Sequence, residues 1–110
     1  MSTYLFHAVQ TPATLAKLLE APEDRGAAID PIFKSLDGEL LGYWYTLGGA
    51  EVYVLFELPD DTTTTGILTR VTSSGAFAST TCTRLMTVPE MLTAIGGSGT
   101  TAYRAPGQAA

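Results

Sequence analysis

Four stretches of the chain have the composition of β-strands, and the order in which helical patterns separate them limits the possible folds more than any other feature. These stretches are residues 3–10, 39–47, 51–58 and 76–86. Each is rich in aromatic, aliphatic or β-branched residues, which favour a pleated, partly buried surface. Gly48 and Gly49 stand between the second and third stretches and are typical of a tight hairpin turn.

Helical patterns lie between the first two strands. Thr11 followed by Pro12 is a typical helix start, with a hydroxyl cap and proline in the first turn. Pro22 interrupts this helix, and a second helical stretch follows. Pro31 lies within it, where we expect a kink or the start of a new turn. The apolar residues of this second stretch have the spacing of one buried helix face: Ile29, Ile32, Phe33 and Leu36.

A third helix is predicted at about residues 61–73, and a short last one at residues 87–95. The resulting order, β-α-β-β-α-β with a C-terminal helix, predicts an α+β fold of the ferredoxin-like kind. Such a fold has one antiparallel sheet with its helices on one face. The other face then needs a second copy of the chain, which would give a dimeric α+β barrel. We predict one domain over residues 1–95 and a flexible tail over residues 96–110.

The small number of charged residues also suggests a partner subunit. Only 15% of the 110 residues are charged, against ~25% in ordinary soluble domains. A surface with so few charges is partly covered by another subunit, or its polarity comes from the seventeen threonines and the serines. The composition leaves both explanations open.

Charge and hydropathy exclude several classes of partner. The net charge of −5 argues against nucleic acid and anionic membranes, which are bound by clustered Lys and Arg. No run approaches the ~18 apolar residues of a transmembrane helix. The lone cysteine, Cys82, indicates a reducing compartment, and the first residues lack a signal peptide, so we expect a cytoplasmic protein. One His and one Cys are too few for a typical metal site, and we expect no cofactor.

The segment around the hairpin resembles the GYD domain family. The family pattern is an aromatic pair, Thr, any residue, Gly, any residue, Tyr and Asp, and the segment Trp44 to Glu51 follows it except at two positions. Ala50 replaces the signature Tyr, and Glu51 replaces the signature Asp. The Thr11-Pro12 helix start also matches, and the resemblance covers about residues 1–95. It implies a dimeric α+β barrel, but it implies no particular reaction.

Three side chains are candidates for catalysis. His7, the only histidine, lies in the first strand and could transfer protons near neutral pH. Glu51 could act as a general base if its strand face lines a cavity. Cys82 lies in the strand expected to pair with that of His7, where a thiol beside an imidazole could be a nucleophile. For each of the three, a purely structural role is the alternative.

Aromatic residues could form the binding surface. Trp44, Tyr45 and Tyr53 are predicted to surround a planar apolar ligand, with the phenol hydroxyls fixing its orientation. The alternative is that they pack in the core or at the dimer interface. Trp44 and Tyr43 are neighbours in a strand and point to opposite faces, so they cannot both line one pocket.

The sequence therefore predicts a homodimer that binds an apolar or aromatic small molecule. It does not decide whether this is a cofactor-independent enzyme of the isomerase, cyclase or monooxygenase type, or a non-catalytic ligand-binding or assembly module. A haem enzyme with His7 as axial ligand is a third possibility. A cavity of at least ~300 Å³ lined by His7 or Glu51 would favour the enzyme. A closed, fully packed sheet face would favour the module.

Overall fold

Four strands and four helices make up the chain in a computed structural model, which describes residues 1–108. They are β1 (Ser2–Gln10), α1 (Pro12–Glu20), α2 (Arg25–Ser35), β2 (Glu39–Tyr45), β3 (Glu51–Leu58), α3 (Asp61–Ser73), β4 (Phe77–Leu85) and α4 (Val88–Ser98). The strands form one sheet in the order β2-β3-β1-β4, and every neighbouring pair is antiparallel. This is the ferredoxin-like α+β arrangement, so the predicted fold class is confirmed.

The local sequence signals explain where the elements begin and end. Thr11 caps α1 by accepting a hydrogen bond from the Thr14 N–H, and Pro12 is the first helical residue. The turn between β2 and β3 contains Gly48 and Gly49, both with positive φ. α2 continues through Pro31 to Ser35. The missing N–H of a proline costs less on an exposed helix surface, where water can satisfy the freed carbonyl.

The core lies between the helices and one face of the sheet. It is built on the even-numbered residues of the two central strands, because strand side chains alternate between faces. Phe56 is at its centre: its ring stacks on Tyr4 of β1, with centroids 5.5 Å apart, and on Phe33 of α2, 4.7 Å away. The buried apolar side chains are Tyr4, Phe6, Ala8, Phe33, Val52, Val54, Phe56 and Leu58.

α4 is exposed along almost its whole length, because Glu90 is the one residue of this helix that is partly covered. It ends at Ser98, three residues into the segment predicted as a tail, and the last two residues of that segment lie outside the described part. Its apolar side chains follow one face at helical spacing, and each is more than half exposed: Val88, Met91, Leu92 and Ile95. We call this face the α4 stripe.

The dimensions of the chain fit an α4 that extends away from the sheet. The radius of gyration is 18.2 Å, whereas a compact chain of this size has ~13 Å. The longest dimension is 62 Å and the other two are 35 and 24 Å. No helix within residues 1–108 is long and apolar enough to cross a bilayer.

Candidate functional site

The face of the sheet that carries no helix holds most of the predicted site residues. We call it the open face. One row of side chains crosses all four strands here, because Trp44 is paired with Tyr53, Tyr53 with His7, and His7 with Thr81. Trp44 is 52% exposed and Tyr53 38% exposed. The row therefore forms a partly aromatic strip across the middle of the open face.

His7 and Glu51 form the closest polar contact on the open face. The Nε2 atom of His7 lies 2.6 Å from Oε1 of Glu51, and the two side chains are 28% and 40% exposed. The imidazole also packs on the Tyr53 ring, with centroids 4.6 Å apart. A carboxylate in this position fixes the orientation of the imidazole ring. The structure thus brings together the two residues that the sequence predicted separately as proton-transfer groups.

The contact between Glu51 and His7 is diagonal across two strands. Directly opposite Glu51 is Val9, and directly opposite His7 is Tyr53. The diagonal spacing of ~7–8 Å between backbones is within reach of long side chains. This register could not be read from the sequence. Nε2 of His7, one of the two ring nitrogens that could bind haem iron, contacts Glu51 in this structure.

Tyr45 does not share a face with Trp44 and Tyr53, so the three aromatic residues predicted to surround one ligand cannot all line the same surface. Tyr45 is paired with the buried residue Val52, and its ring lies 5.4 Å from that of Tyr43. Both tyrosines are therefore on the helix side of the sheet. The reason is the two-residue period of the strand, which sends neighbouring side chains to opposite faces.

Cys82 and His7 do not meet, so the predicted thiol–imidazole pair is not formed. Cys82 is paired with Phe6, and the partner of His7 in the same strand is Thr81. Since Phe6 points into the core, Cys82 lies on the helix side and His7 on the open face. Partial burial, and to a smaller extent the charge of Asp61, raise the pKa of the Cys82 thiol. This environment disfavours the reactive thiolate form.

The helix side of the sheet holds a groove that the sequence did not predict. It has a volume of about 590 Å³ and runs between α1, α2 and α3 above the sheet. An inner cavity of about 90 Å³ lies beneath it in the core. The two spaces have six lining residues in common: Arg25, Ile29, Tyr43, Ile67, Val71 and Phe77. We call the groove and its inner cavity the helix-side groove. Neither His7 nor Glu51 lines it.

Tyr43 and Arg25 provide polar groups between the groove and its inner cavity. Burial raises the pKa of Tyr43 to about 12, with a smaller contribution from Tyr45. The phenol is therefore protonated at any physiological pH and can donate a hydrogen bond. Arg25 forms an ion pair with Glu23, and the hydrogen bond that the guanidinium donates to this carboxylate raises the pKa of Arg25 above its usual value. A neutral donor and a cation thus lie beside an apolar cavity.

The volume and lining of the helix-side groove lie within the range found for small-molecule sites. Ligand sites usually occupy ~300–1,000 Å³ and combine an apolar wall with a few polar groups. The composition of the wall was partly visible in the sequence, as the apolar stripe of the second helix. The groove itself depends on how far apart the three helices lie, for which the sequence carries no simple signal. Within residues 1–108, no three His, Cys, Asp or Glu side chains are close enough to hold a metal ion.

Comparison with known proteins agrees with the resemblance noted in the hairpin segment. The family model described as the GYD domain matches residues 4–95, which include almost all of the sheet and the first three helices. No match is found among curated proteins.

Proposed function

Because the chain belongs to the GYD domain family of dimeric α+β barrel-like proteins, we propose that it is a homodimer that binds an apolar, aromatic small molecule. The open faces of two copies pack together, and the ligand occupies the helix-side groove of each copy. The observation that carries the proposal is the contrast between the two sides of the sheet. One is a partly aromatic surface that carries no helix, and the other holds a concave site. A cytoplasmic location is part of the proposal, since Cys82 is a free thiol.

The composition of the open face supports the dimer. Its central residues are Leu5, His7, Tyr53 and Leu55, all only partly covered in the single chain. Contiguous exposed apolar surface of this kind marks an interaction site. Aromatic residues are enriched where protein surfaces meet. A second copy is the natural partner, because a two-fold axis lets the same surface cover itself.

The α4 stripe extends this surface beyond the sheet. Leu85, the last residue of β4, lies on the open face because it is paired with Thr3 of β1. Met86 follows it, is more than half exposed, and leads into α4. The open face and the α4 stripe are thus connected along the chain. We propose that α4 of each copy packs against the other copy.

Sedimentation velocity at micromolar concentration tests the dimer. We expect a species of twice 11.6 kDa. Leu55→Glu puts a charge in the centre of the open face, and we expect it to give the single-chain mass. The matched control is Ala13→Glu on the exposed surface of α1, which should stay dimeric. Circular dichroism shows whether each variant is folded. A wild-type chain that sediments only at 11.6 kDa would contradict the dimer.

Binding of a neutral aromatic probe tests the ligand site. We expect 2-naphthamide to bind with micromolar affinity in isothermal titration calorimetry. Ile67 lines both the groove and its inner cavity, and Ile67→Trp fills that space, so we expect it to abolish binding. Trp44→Phe on the open face should leave the affinity unchanged. Binding that survives Ile67→Trp and is lost in Trp44→Phe would place the ligand on the open face instead.

A second candidate function is supported by the contact between His7 and Glu51. An imidazole held by a carboxylate is a suitable base for removing a substrate proton, a step shared by isomerases, cyclases and cofactor-independent monooxygenases. In the dimer, such a pair would act on a substrate enclosed between the two sheets, beside Trp44 and Tyr53.

A product-forming assay with substituted chains decides this candidate. We expect His7→Gln to reduce turnover at least 100-fold, the usual contribution of acid–base catalysis. Glu51→Gln should reduce it less, because the imidazole remains. Thr81→Val, next to His7 in the same row, is the control. If turnover is undiminished in both His7→Gln and Glu51→Gln, non-catalytic ligand binding is the one proposed function that remains.

A further inference from the structure

We propose that the ligand of the helix-side groove is a carboxylate with an apolar, ring-sized body, held by Arg25 and Tyr43 at the inner cavity. This inference rests on the proposed function, since it names the chemical class of the molecule that the groove binds.

The charge of the groove is opposite to that of the chain. The whole chain has six basic residues and a net charge of −5. Three of the six, Lys17, Arg25 and Arg70, line this one groove, and the only acidic residue among its lining is Glu23. Three positive charges and one negative charge give the groove a net charge of +2. A concave site of this sign concentrates anions.

The positions of the polar groups give the orientation of the ligand. Arg25 and Tyr43 line both the outer groove and the inner cavity. A carboxylate bound there can accept two parallel hydrogen bonds from the guanidinium, the arrangement in which Arg binds carboxylates best. It can accept a third from the Tyr43 hydroxyl, which stays protonated. Lys17 and Arg70 line the outer groove alone and add long-range attraction.

The apolar part of the ligand would be directed into the core. The inner cavity is lined almost entirely by carbon, from residues such as Phe33, Phe56 and Leu68. Its volume of about 90 Å³ is less than the ~150 Å³ of an apolar cavity that binds benzene. It can therefore hold the edge of a ring or a short alkyl group, and the remainder lies along the groove wall. A fully ionic ligand without an apolar body would leave this wall exposed to water.

The ion pair between Arg25 and Glu23 does not prevent binding. Both side chains are about half exposed, and exposed pairs of this kind contribute little to stability. An incoming carboxylate therefore replaces one weak partner of Arg25 with another that also has apolar contacts. Glu23 precedes α2 and can turn back toward water. Its displacement removes one negative charge from the groove, which strengthens the attraction between the groove and the anion.

Calorimetry with two matched probes tests the inference on the full chain. The probes are 2-naphthoate and 2-naphthamide, which have the same ring system and differ in charge. At low salt we expect 2-naphthoate to bind at least tenfold more tightly than 2-naphthamide. We expect this difference in affinity to shrink as salt is added. Arg25→Gln should lower the affinity for 2-naphthoate at least tenfold and change the affinity for 2-naphthamide less than twofold. Arg70→Gln should lower only the affinity for 2-naphthoate, and by a smaller factor.

Lys34→Gln is the control, because Lys34 is on the same helix as Arg25 but is paired with Asp30 and does not line the groove. The carboxylate proposal would be overturned if the wild type bound the two probes with equal affinity. It would also be overturned if Arg25→Gln and Arg70→Gln lowered the affinity for both probes by the same factor. Either result would leave the groove as a neutral ligand site. Failure of both probes to bind would overturn the proposed ligand function as well.

Discussion

The indole ring of Trp44 folds back over the α-carbon of Gly42, so that a β-carbon at position 42 would overlap the ring. The two residues are on the same face of β2, two positions apart. Gly42 is paired with Leu55, just after a break in the register of the strand. The missing side chain lets the large indole lie close to the sheet, so it adds apolar area to the open face without standing far above it.

Gly42→Ala should therefore weaken the proposed dimer. The added methyl group pushes the indole away from the sheet, where it would meet the second copy. We expect the dissociation constant from sedimentation to rise at least tenfold, while the circular dichroism spectrum stays unchanged. Trp44 is the only tryptophan, so its fluorescence reports the displacement directly. An unchanged dissociation constant together with a shifted emission maximum would show that Trp44 is outside the interface.

Two glycines should respond in opposite ways to the same substitution. A β-carbon at Gly38 would overlap the carbonyl oxygen of Glu57, whereas one at Gly66 in α3 meets nothing within 4 Å. We expect Gly38→Ala to destabilise the chain by about 1–3 kcal/mol, as overpacking does. Gly66→Ala should stabilise it by up to about 1 kcal/mol, through helix propensity. Urea unfolding at one protein concentration measures both. Similar values for the two variants would contradict the close approach of Gly38 to β3.

The coupling between His7 and Glu51 should depend on assembly. In the separated chain the pair is partly exposed, and we expect a coupling energy of at most about 1 kcal/mol. A second copy would exclude water from the pair, and charge pairs enclosed in interfaces reach about 1.5 kcal/mol or more. A double-mutant cycle with His7→Gln and Glu51→Gln, made at protein concentrations below and above the dissociation constant of the dimer, measures this difference. Equal coupling at both concentrations would place the pair away from the interface.

Acid should loosen the first turn of α4. Glu90 accepts a hydrogen bond from the backbone N–H of Thr87, and this bond, with a smaller contribution from the Thr87 hydroxyl, lowers the pKa of Glu90. The stabilisation is therefore complete above the unfolded value of about 4.3 and is lost as the pH falls through the lower folded value. We expect the far-UV circular dichroism of the wild type to lose helical signal in this acid range. Glu90→Gln, which has no carboxyl group at this position, should show a smaller change. The same acid transition in both proteins would assign it to other groups.

The sequence predicted the fold better than the site. β3 and α3 have the predicted bounds, because the turn residues at their ends and the alternating or helical patterns within them indicate the same limits. The separation of Tyr45 from Trp44 follows from the two-residue period of the strand, which already separates neighbouring side chains at the level of sequence. The contact between His7 and Glu51 depends on strand register, which arises from many weak pairings along β1 and β3. The helix-side groove depends on the spacing of helices, which no local pattern encodes.

The proposed dimerisation has a consequence for how long a newly made chain survives. Until such a chain meets a second copy, its exposed apolar α4 stripe is accessible to chaperones and proteases. Encounter between copies scales with the square of their concentration, whereas capture by the degradation machinery scales with the first power. A cell that makes little of this protein should therefore lose a larger fraction of it than a cell that makes much.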